Sequence, residues 1–400
     1  MKILVLNCGS SSVKYQLREG DHVFAKGIVE RIGKQDAIFK YKSGDHDIKE
    51  ILPVENHTIA IEKILSTFTD EKIGCIQKIE EIAAIGHRLV HGGEKFADSV
   101  YITDEVLETM KQCINLAPLH NPHNIKGVEA CREILPDVKQ AGVFDTAFHQ
   151  TMEKHVYLYG LPYDLYRKHG IRRYGFHGTS HFFVANQAAE FLGRSIEDLK
   201  IITCHLGNGS SVAAVKNGKS VETSMGFTPL EGLIMGTRCG DIDPAIVTYL
   251  QEYAGMSLEE VNNILNKESG VHGISEKSND MREIEDGYLA GDEVCILTYK
   301  MLAHRLKKYI GSYSAVMNGV DAIVFTGGVG ENDFILRENT LKDMENLGIV
   351  FSNEKNNQTI RGKKGRISVE ESSVEVLVMP TDEELVIAKE AERIIKNLTA

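Results

Sequence analysis

One pattern of two strands joined by a polar turn occurs twice in this chain, about two hundred residues apart. In residues 3–17 four apolar residues predict a buried strand, a turn of Gly and Ser follows, and alternating apolar residues predict a second strand. Residues 201–215 repeat that order, and Gly209-Ser-Ser stands where the first copy has Gly9-Ser-Ser. Because each copy would open one half of the chain, the repeat predicts a duplicated α/β fold in two domains.

The turn of each predicted hairpin offers small side chains, backbone N–H groups and hydroxyls, and in the first copy Lys14 follows closely. Such a turn suits a phosphate, because nothing bulky blocks its approach and the exposed groups are donors. For the first copy alone an ordinary polar hairpin is an equal alternative. The two copies together predict a nucleotide bound in a cleft between the two halves.

Length and composition limit the class of protein. A chain of 400 residues is long enough for two domains, and its 42% hydrophobic and 26% charged residues describe a globular protein. The net charge of −12 argues against a nucleic-acid surface. We expect neither a signal peptide nor a membrane span, and the seven scattered cysteines are typical of reduced thiols in the cytoplasm.

Apolar spacing predicts further elements along the chain. Helices are expected over residues 57–68, 103–116 and 292–313, and a last helix opened by a Thr381-x-x-Glu384 capping box. Ile82–Ile85 is the next predicted buried strand, followed by a polar cluster over 86–93. Asn121 is expected to cap a helix with Pro122 at its first position. Residues 223–244 hold too many Gly and Pro for a helix and predict a functional loop.

Two common nucleotide motifs do not fit. No GxxxxGK[ST] pattern is present, and Gly328-Val-Gly330 is followed by Asp333 where a dinucleotide fingerprint has Gly. Histidines occur at spacings of three or four in Gly/Pro-rich segments, which does not favour zinc. We expect one or two of them to donate hydrogen bonds to an anion and the others to be ordinary polar residues.

Three charged residues stand in unusual surroundings. Arg88 and Arg238 lie among Gly and apolar residues, where a guanidinium could hold a carboxylate or phosphate through two hydrogen bonds, or form an internal salt bridge. Asp145 ends a short apolar run. It could be a magnesium or water ligand, a general base, or a helix cap.

Seven segments together resemble the acetokinase family of the actin/Hsp70/sugar-kinase superfamily, and the similarity extends over the whole chain. They are residues 7–14, 86–93, 144–149, 173–181, 205–209, 223–244 and 327–332. The resemblance implies duplicated actin-like ATPase (ribonuclease H-like) domains, with mixed sheets flanked by helices. The predicted domains are residues 1–149 plus 385–400, on the acetate side, and residues 150–384, which bind the nucleotide.

The resemblance also implies a reaction: reversible, direct in-line transfer of the γ-phosphoryl group of ATP to acetate, giving acetyl phosphate and ADP, with Mg²⁺ or Mn²⁺. It implies catalytic roles for Asp145, His177 and Arg238, and metal ligation by Asn7 and Glu383. Acetate would be bound by Arg88, Val90, Leu119, Phe176 and Pro229. ATP would be contacted by Ser10, Ser12, Lys14, His205, Leu206, Gly207, Asn208, Gly209, Asp280, Met281, Arg282, Gly328, Val329, Gly330, Glu331 and Asn332. A homodimer is implied as well.

Two alternatives remain open at this stage. A propionate or butyrate kinase of the same family would share most of these motifs. An Hsp70- or actin-like ATPase would couple the same nucleotide site to a protein partner, and would hydrolyse ATP without any carboxylate.

Overall fold

The computed structural model describes residues 1–118 and 120–398. Its strands are β1 Ile3–Cys8, β2 Ser12–Glu19, β3 His22–Glu30, β4 Lys34–Ser43, β5 His46–Val54, β6 Ala84–Leu89, β7 Val100–Tyr101, β8 Lys139–Phe144, β9 Lys200–Leu206, β10 Ser210–Lys216, β11 Lys219–Thr223, β12 Ala322–Thr326, β13 Gly365–Arg366 and β14 Glu375–Val378.

The helices are α1 His57–Phe68, α2 Asp104–Gln112, α3 Asn121–Ile134, α4 Lys154–Tyr157, α5 Tyr163–His169, α6 Gly178–Leu192, α7 Ala245–Glu252, α8 Leu258–Asn263, α9 Gly270–Ser275, α10 Met281–Leu289, α11 Glu293–Met317, α12 Gly327–Asn332, α13 Phe334–Leu341, α14 Asn353–Gln358 and α15 Glu383–Asn397. Short 3₁₀ turns cover Ile79–Glu81, Ile114–Leu116, Ala147–Thr151, Ile196–Asp198 and Glu345–Leu347, and a π turn covers Ile264–Glu268.

Residues 1–147 and the segment from Asp382 form one compact unit around a single sheet. The strand order is β5-β4-β3-β2-β1-β6-β8-β7, with β1 to β5 antiparallel and β6 and β8 parallel to β1. Leu4 and Leu6 pack on the side of α1 and α3, whereas Ile3 and Val5 pack on the side of α15. Burial on both faces explains why the first strand is an uninterrupted apolar run.

Residues 148–381 form a second compact unit with the sheet order β11-β10-β9-β12-β14-β13. Strands β9, β10 and β11 are antiparallel, β12 and β14 continue parallel to β9, and β13 is an antiparallel edge strand. The long helix α11 covers one face of this sheet, and α6 packs against the other through Val184 and Ala188.

The two sheets share one topology. In each unit an antiparallel set of three strands is followed by two parallel strands on the far side of the first strand, which gives the order β3-β2-β1-β6-β8 and the order β11-β10-β9-β12-β14. The predicted hairpins are β1–β2 and β9–β10, and each supplies the central strand of its sheet. The duplicated actin-like fold expected from the sequence is confirmed.

Three local predictions were wrong. The strand expected at Ile82–Ile85 begins two residues later and continues through Leu89, so Gly86 to Leu89 are strand residues. Asn121 lies inside α3, and its amide bonds the backbone of His91 rather than capping the helix. The last helix is capped by Asp382, whose carboxylate accepts from Leu385 N, and not by Thr381.

The start of α15 belongs to the first unit for a clear electrostatic reason. Asp382 accepts two hydrogen bonds from the buried Arg18 guanidinium of β2, at 2.9 and 3.2 Å. The contacts therefore divide the chain after residue 147 and before residue 382, a few residues from the predicted boundaries. Within residues 1–118 and 120–398, no helix combines the length and apolarity that crossing a bilayer requires.

Candidate functional site

The first unit gathers polar side chains where three neighbouring parallel strands end. Asn7 lies near the end of β1, Arg88 near the end of β6, and Asp145 directly after β8. Arg88 Nε lies 3.2 Å from Asp145 Oδ1, its Nη2 donates to Asp145 Oδ2, and its Nη1 lies 3.4 Å from Asn7 Oδ1. Glu383, the first residue of α15, lies 3.7 Å from Arg88 Nε. We call these four residues the Arg88 cluster.

In the Arg88 cluster, the guanidinium of Arg88 is the positive group that faces the carboxylates of Asp145 and Glu383. Burial disfavours the charged form of Arg88, but the carboxylates of Asp145 and Glu383 outweigh it and raise its pKa. Burial also raises the pKa of Glu383, against the opposing effect of Arg88. Asp145 is 1% exposed, and its ion pair with Arg88 compensates the burial of its charge.

Two of the three charged residues that the sequence singled out bond each other. The Asp145 carboxylate accepts from the Arg88 guanidinium. Arg88 does form an internal ion pair, with a partner that the sequence also singled out. Arg238 is different: within the described residues no carboxylate lies at ion-pair distance from it, and its Nη1 donates to the carbonyl of Pro229 at 2.9 Å.

Two asparagines hold the end of β6 in place, and the sequence predicted this role for neither: Asn124 was not selected and Asn121 was expected to cap a helix. Asn124 accepts from Val90 N at 2.9 Å and donates to the carbonyl of Cys8 at 2.9 Å, which ties the ends of β1 and β6 together. Asn121 accepts from His91 N and donates back to its carbonyl. Their available signal was the pair of Asn in the polar stretch over 120–124 that opens α3.

The turn of the first hairpin remains open on the surface. Ser10 is exposed and Ser12 half-buried, while Gly9 N bonds the carbonyl of Ser12 at 2.8 Å to close the turn. Lys14 is half exposed and forms an ion pair with Glu384, the second residue of α15. The structure thus places Lys14 beside the helix that carries Glu383.

In the second unit, His177 and Arg238 converge beside the turn of the second hairpin. His177 is the N-cap of α6 and has a left-handed backbone with φ of 56°, a strained conformation for a residue with a Cβ. A Cβ placed on Gly209 would lie 3.4 Å from His177 Nε2 and 3.6 Å from Arg238 Nη1. The His205 ring stacks on His177 with a centroid distance of 4.3 Å. Two nitrogen donors therefore flank the glycine turn.

The hydroxyls of this second turn are bonded internally. Ser210 Oγ bonds the backbone of Gly207 at 3.0 and 3.2 Å, and Ser211 Oγ lies between two histidines. In this second copy of the Gly-Ser-Ser pattern, both serine hydroxyls therefore form hydrogen bonds within the protein. The N–H groups and the open space over Gly209 are what the turn offers a ligand.

A cavity of about 370 Å³ opens next to this turn, and its volume suits a nucleoside. The predicted nucleotide-contacting residues that line it are Leu206, Gly207, Asn208, Asp280, Met281, Arg282, Gly328, Val329 and Asn332. His205, Gly209, Gly330 and Glu331 are outside its lining. The Glu331 carboxylate instead accepts from Gly327 N and Thr381 N, at 3.0 and 3.2 Å.

Sequence reasoning missed the apolar wall of the cavity. It is built by Leu233, Ile234, Val271, Leu302, Leu306 and Leu336, with Asn279, Glu285 and Asp333 as further polar groups. Leu302 and Leu306 are one helical turn apart on α11, and their spacing predicts a helix but does not indicate a ligand. An apolar wall opposite glycine-rich backbone is an arrangement that accepts a planar base.

The residues predicted to surround a small carboxylate are distributed over the chain. Val90 and Phe176 are buried, and the carbonyl of Phe176 bonds His149 Nε2 at 3.0 Å. Pro229 belongs to the 223–244 segment, in which Thr223 ends β11 and residues 224–244 are loop, as predicted. Leu119 lies outside the described residues.

That segment is fixed from both sides by ion pairs and hydrogen bonds. Arg173 bonds the carbonyls of Thr223 and Ser224 and the carboxylate of Glu231, while Tyr159 also bonds Glu231. Near the other end, Asp241 accepts from Gly232 N at 2.8 Å. Pro229 and Arg238 are thus presented by a loop with a defined conformation.

Residues 2–389 match the Acetokinase family. The chain belongs to the acetokinase family. It is 57% identical to an acetate kinase of Carboxydothermus hydrogenoformans over 400 residues, which are 99% of this chain and all of that relative. It is 54% identical to an acetate kinase of Thermotoga maritima, with both chains covered in full.

Solved structures agree with this family assignment. The crystal structure of Porphyromonas gingivalis acetate kinase matches 98% of this chain and 99% of its own, with a TM-score of 0.95 and 52% identity. A propionate kinase from Francisella tularensis matches 98% of this chain and 99% of its own, with a TM-score of 0.92 and 42% identity. As an acetokinase the chain is a kinase, and ATP is a substrate of its family.

One group of this acetokinase cavity should make stability depend on pH. Burial raises the pKa of Asp333 to about 6, although the carboxylate accepts from Leu336 N and Tyr299 Oη, both at 2.8 Å. The folded state therefore holds this proton more tightly than the unfolded state. The stabilisation is complete below about pH 4 and is lost as the pH rises through about 6.

We expect the free energy of unfolding to lose up to about 3 kcal/mol from this group between about pH 4 and pH 7. Asp333→Asn keeps an oxygen acceptor for Leu336 N, places an amide nitrogen that can donate to Tyr299 Oη, and has no carboxyl group to titrate, so it should flatten that slope. Urea unfolding of both proteins across this pH range measures the effect. Parallel pH profiles would contradict the assignment to Asp333.

Proposed function

We propose that this chain catalyses the reversible, direct in-line transfer of the γ-phosphoryl group of ATP to acetate, giving acetyl phosphate and ADP. The observation that carries the proposal is the match of residues 2–389 to the Acetokinase family. The polar groups of both units support it, because phosphoryl transfer depends mainly on positioning and on positive charge around the phosphoryl oxygens.

The second unit is the proposed nucleotide-binding side. The cavity lined by Leu206 to Asn208, Asp280 to Arg282 and Gly328, Val329 and Asn332 would hold the nucleoside. Gly209 and the backbone of the hairpin turn would face the phosphates, since no side chain blocks them there. His205, Gly330 and Glu331 would act at the edge of this site, outside the cavity lining. On the first unit, Ser10, Ser12 and Lys14 would contact the phosphates.

His177 and Arg238 are the proposed stabilisers of the transferring group. Both present nitrogen donors beside Gly209, and Arg238 is bonded to a neutral carbonyl rather than to a carboxylate. Exchanging that carbonyl for a phosphoryl oxygen breaks no ion pair. Burial lowers the pKa of Arg238, but guanidinium groups keep their charge at physiological pH.

Arg88 is the proposed acetate ligand of the first unit, with Val90, Phe176, Pro229 and Leu119 around the methyl group. Its guanidinium already binds carboxylates in the Arg88 cluster. Asp145 would hold Arg88 in position. Acetate is ionised at pH 7 and has no proton to lose, so we propose that Asp145 orients Arg88 or magnesium-bound water and does not act as a general base.

The oxygen donors of the Arg88 cluster fit Mg²⁺, and also Mn²⁺. Asn7 and Glu383 would hold the ion, with Asp145 close by, all offering the hard oxygen atoms that Mg²⁺ prefers. Within the part of the chain described, no three His, Cys, Asp or Glu side chains are grouped as metal ligands. Substrate oxygens and water would therefore complete the coordination. When bound, the ion would neutralise charge on the phosphate oxygens.

The proposed reaction can be tested directly by comparing acetate with longer carboxylates as the phosphoryl acceptor. We expect ADP formation to require acetate, and kcat/KM to fall about 10- to 100-fold for propionate and further for butyrate, because one methylene is worth about 1–3 kcal/mol. A hydroxamate assay of the acyl phosphate with the three carboxylates measures this. Equal kcat/KM for acetate and butyrate would contradict the small pocket.

The same assay separates the other candidate functions. The likeness to the Francisella tularensis propionate kinase favours propionate kinase activity as the second candidate, which predicts a higher kcat/KM for propionate than for acetate. ATP hydrolysis that is independent of any carboxylate would instead point to an actin-like ATPase acting on a protein partner.

We further propose a homodimer in the cytoplasm. Tyr249, Tyr253 and Leu258 on and beside α7 and α8 are 60%, 75% and 68% exposed, which suits a surface covered by a second copy. All seven cysteines are unpaired, as expected in a reducing compartment. Sedimentation of the wild-type chain and of Tyr253→Ser tests the dimer.

A further inference from the structure

A continuous series of buried polar contacts leads from the centre of the second sheet to His177. Thr203 Oγ1 lies 2.7 Å from His181 Nδ1, and His181 Nε2 lies 2.7 Å from Ser211 Oγ. Ser211 Oγ in turn lies 2.9 Å from His177 Nδ1. Thr203, His181 and Ser211 are all 0% exposed, so no solvent can replace these contacts. We call these four residues the histidine chain.

The hydrogen bonds of the histidine chain can run in either of two directions, because each member has only one proton to donate along the chain. Burial holds the pKa of His181 well below its ordinary value, with His149 and His205 adding to the effect, so its ring is neutral and carries one proton. Either Thr203 donates to His181, His181 to Ser211 and Ser211 to His177, or every bond runs in reverse. In the reverse case the acceptor left for the Thr203 hydroxyl among residues 1–118 and 120–398 is the carbonyl of Ala213, at 3.5 Å.

The distances favour the first direction. A separation of 3.5 Å is at the limit for a hydroxyl donor, and a buried hydroxyl proton without a good acceptor costs about 1–3 kcal/mol. With Thr203 donating at 2.7 Å, each of the three protons occupies one short contact. Ser211 then donates to His177 Nδ1, and the remaining ring proton of His177 resides on Nε2.

The surroundings of His177 agree with a ring that donates without carrying charge. Arg238 of the 223–244 loop and His177 both lie close to Gly209. A Cβ placed on Gly209 would be 3.6 Å from Arg238 Nη1 and 3.4 Å from His177 Nε2. His205 of β9 stacks on the ring, and His181 faces it through Ser211. A second positive charge beside the guanidinium would be repelled.

We propose that Thr203, His181 and Ser211 are positioning residues that fix His177 as a neutral imidazole with its proton on Nε2, so that it donates to the transferring phosphoryl group at any pH near neutrality. This inference rests on the proposed function of His177. Ser211, the last hydroxyl of the repeated Gly-Ser-Ser pattern, would thus act through a histidine and not on phosphate.

Variants of the histidine chain test the proposal through the pH dependence of kcat at saturating substrates. In Ser211→Ala nothing fixes the tautomer of the neutral His177 ring. At saturating substrates the phosphate oxygens beside His177 and Arg238 offset the repulsion between the two cations, so a ring protonated at low pH still donates from Nε2. We expect the kcat ratio of variant to wild type to be about 0.1 at pH 8.5 and above about 0.5 at pH 6. Thr203→Val, which keeps the side-chain shape, should shift the ratio in the same direction.

Two control variants complete the test: one retains the hydroxyl at position 211, and the other removes a buried serine hydroxyl outside the histidine chain. Ser211→Thr retains the donor and should restore a flat ratio. Ser314→Ala removes a buried serine hydroxyl from α11, where it bonds only the carbonyl of Ile310, and should also give a flat ratio. A flat ratio for both Ser211→Ala and Thr203→Val would overturn the proposal, whatever the size of the loss.

The tautomer can also be read without any turnover. In wild-type protein labelled with ¹⁵N-histidine and assigned with His177→Gln, we expect His177 Nδ1 to show the shift of an unprotonated ring nitrogen from about pH 6.5 to pH 8.5. A protonated Nδ1 would overturn the proposal. Wild-type kcat in His177→Gln would instead remove the catalytic role of His177 while leaving the tautomer measurement valid.

Discussion

Replacing Arg238 by alanine should lower kcat by about 10³-fold or more while leaving the KM for ATP within about 3-fold of the wild type. The physical reason is that a guanidinium of this kind meets charge that develops on the phosphoryl oxygens during transfer, so its removal costs the transition state and not the bound nucleotide. Steady-state kinetics at saturating acetate and Mg²⁺ measures the effect.

The structure makes this variant readily interpretable. Arg238 forms no ion pair within the described residues, and alanine would remove its hydrogen bond to Pro229 and a sulfur contact to Met235. The free energy of unfolding should therefore change by only about 1 kcal/mol. Arg238→Lys keeps the charge but not the forked geometry and should recover only part of kcat. Wild-type kcat in Arg238→Ala would contradict the proposed role.

The sequence predicted a hairpin at the start of each unit because one pattern was repeated, but it did not predict the strand order of either sheet. Each hairpin combines a run of apolar residues with a small polar turn, and in the structure the first strand of each is buried on both faces. The helix over His57–Phe68 was predicted to the residue, since its apolar spacing and its Asn56 cap agree. Where apolar spacing and a capping residue indicate the same helix, its bounds can be predicted from the sequence.

The contacts that organise the site could not be predicted from the sequence, because they depend on where a strand ends and on residues far apart in the chain. Arg88 was expected after a strand, yet it lies within β6, because a mixed apolar and polar pattern near a strand end does not fix where pairing stops. The partners Asn124 and Glu384 are separated from their targets by more than a hundred residues, and no local pattern indicates such pairs. The contacts of Ser211 with His177 and His181 likewise join residues at least 30 positions apart.

Replacing Arg88 by alanine should damage both activity and stability, and the two effects can be separated. The kcat/KM for acetate should fall by at least about 10- to 100-fold, because the proposed contact to the carboxylate is lost. The KM for ATP should change little, since the proposed nucleoside cavity is lined entirely by second-unit residues. The free energy of unfolding should fall by about 3–5 kcal/mol at pH 7, because the buried Asp145 carboxylate loses its ion pair with Arg88.

That loss of stability has a definite pH dependence. Burial raises the pKa of Glu383 and Arg88 opposes that effect, so without Arg88 the Glu383 carboxylate binds its proton more tightly in the folded than in the unfolded state. The variant should therefore regain stability relative to the wild type as the pH falls from 7 towards about 4, which urea unfolding at both pH values would measure. A deficit that is equal at both pH values would contradict the electrostatic explanation.

A double variant distinguishes the structural role of Arg88 from its proposed role in binding. Adding Asp145→Asn to Arg88→Ala removes the uncompensated charge and should restore much of the stability at pH 7. It cannot restore acetate binding, because the guanidinium is still absent. A double variant that recovers both stability and kcat/KM would show that Arg88 serves only to neutralise Asp145, and acetate would then have to be bound elsewhere.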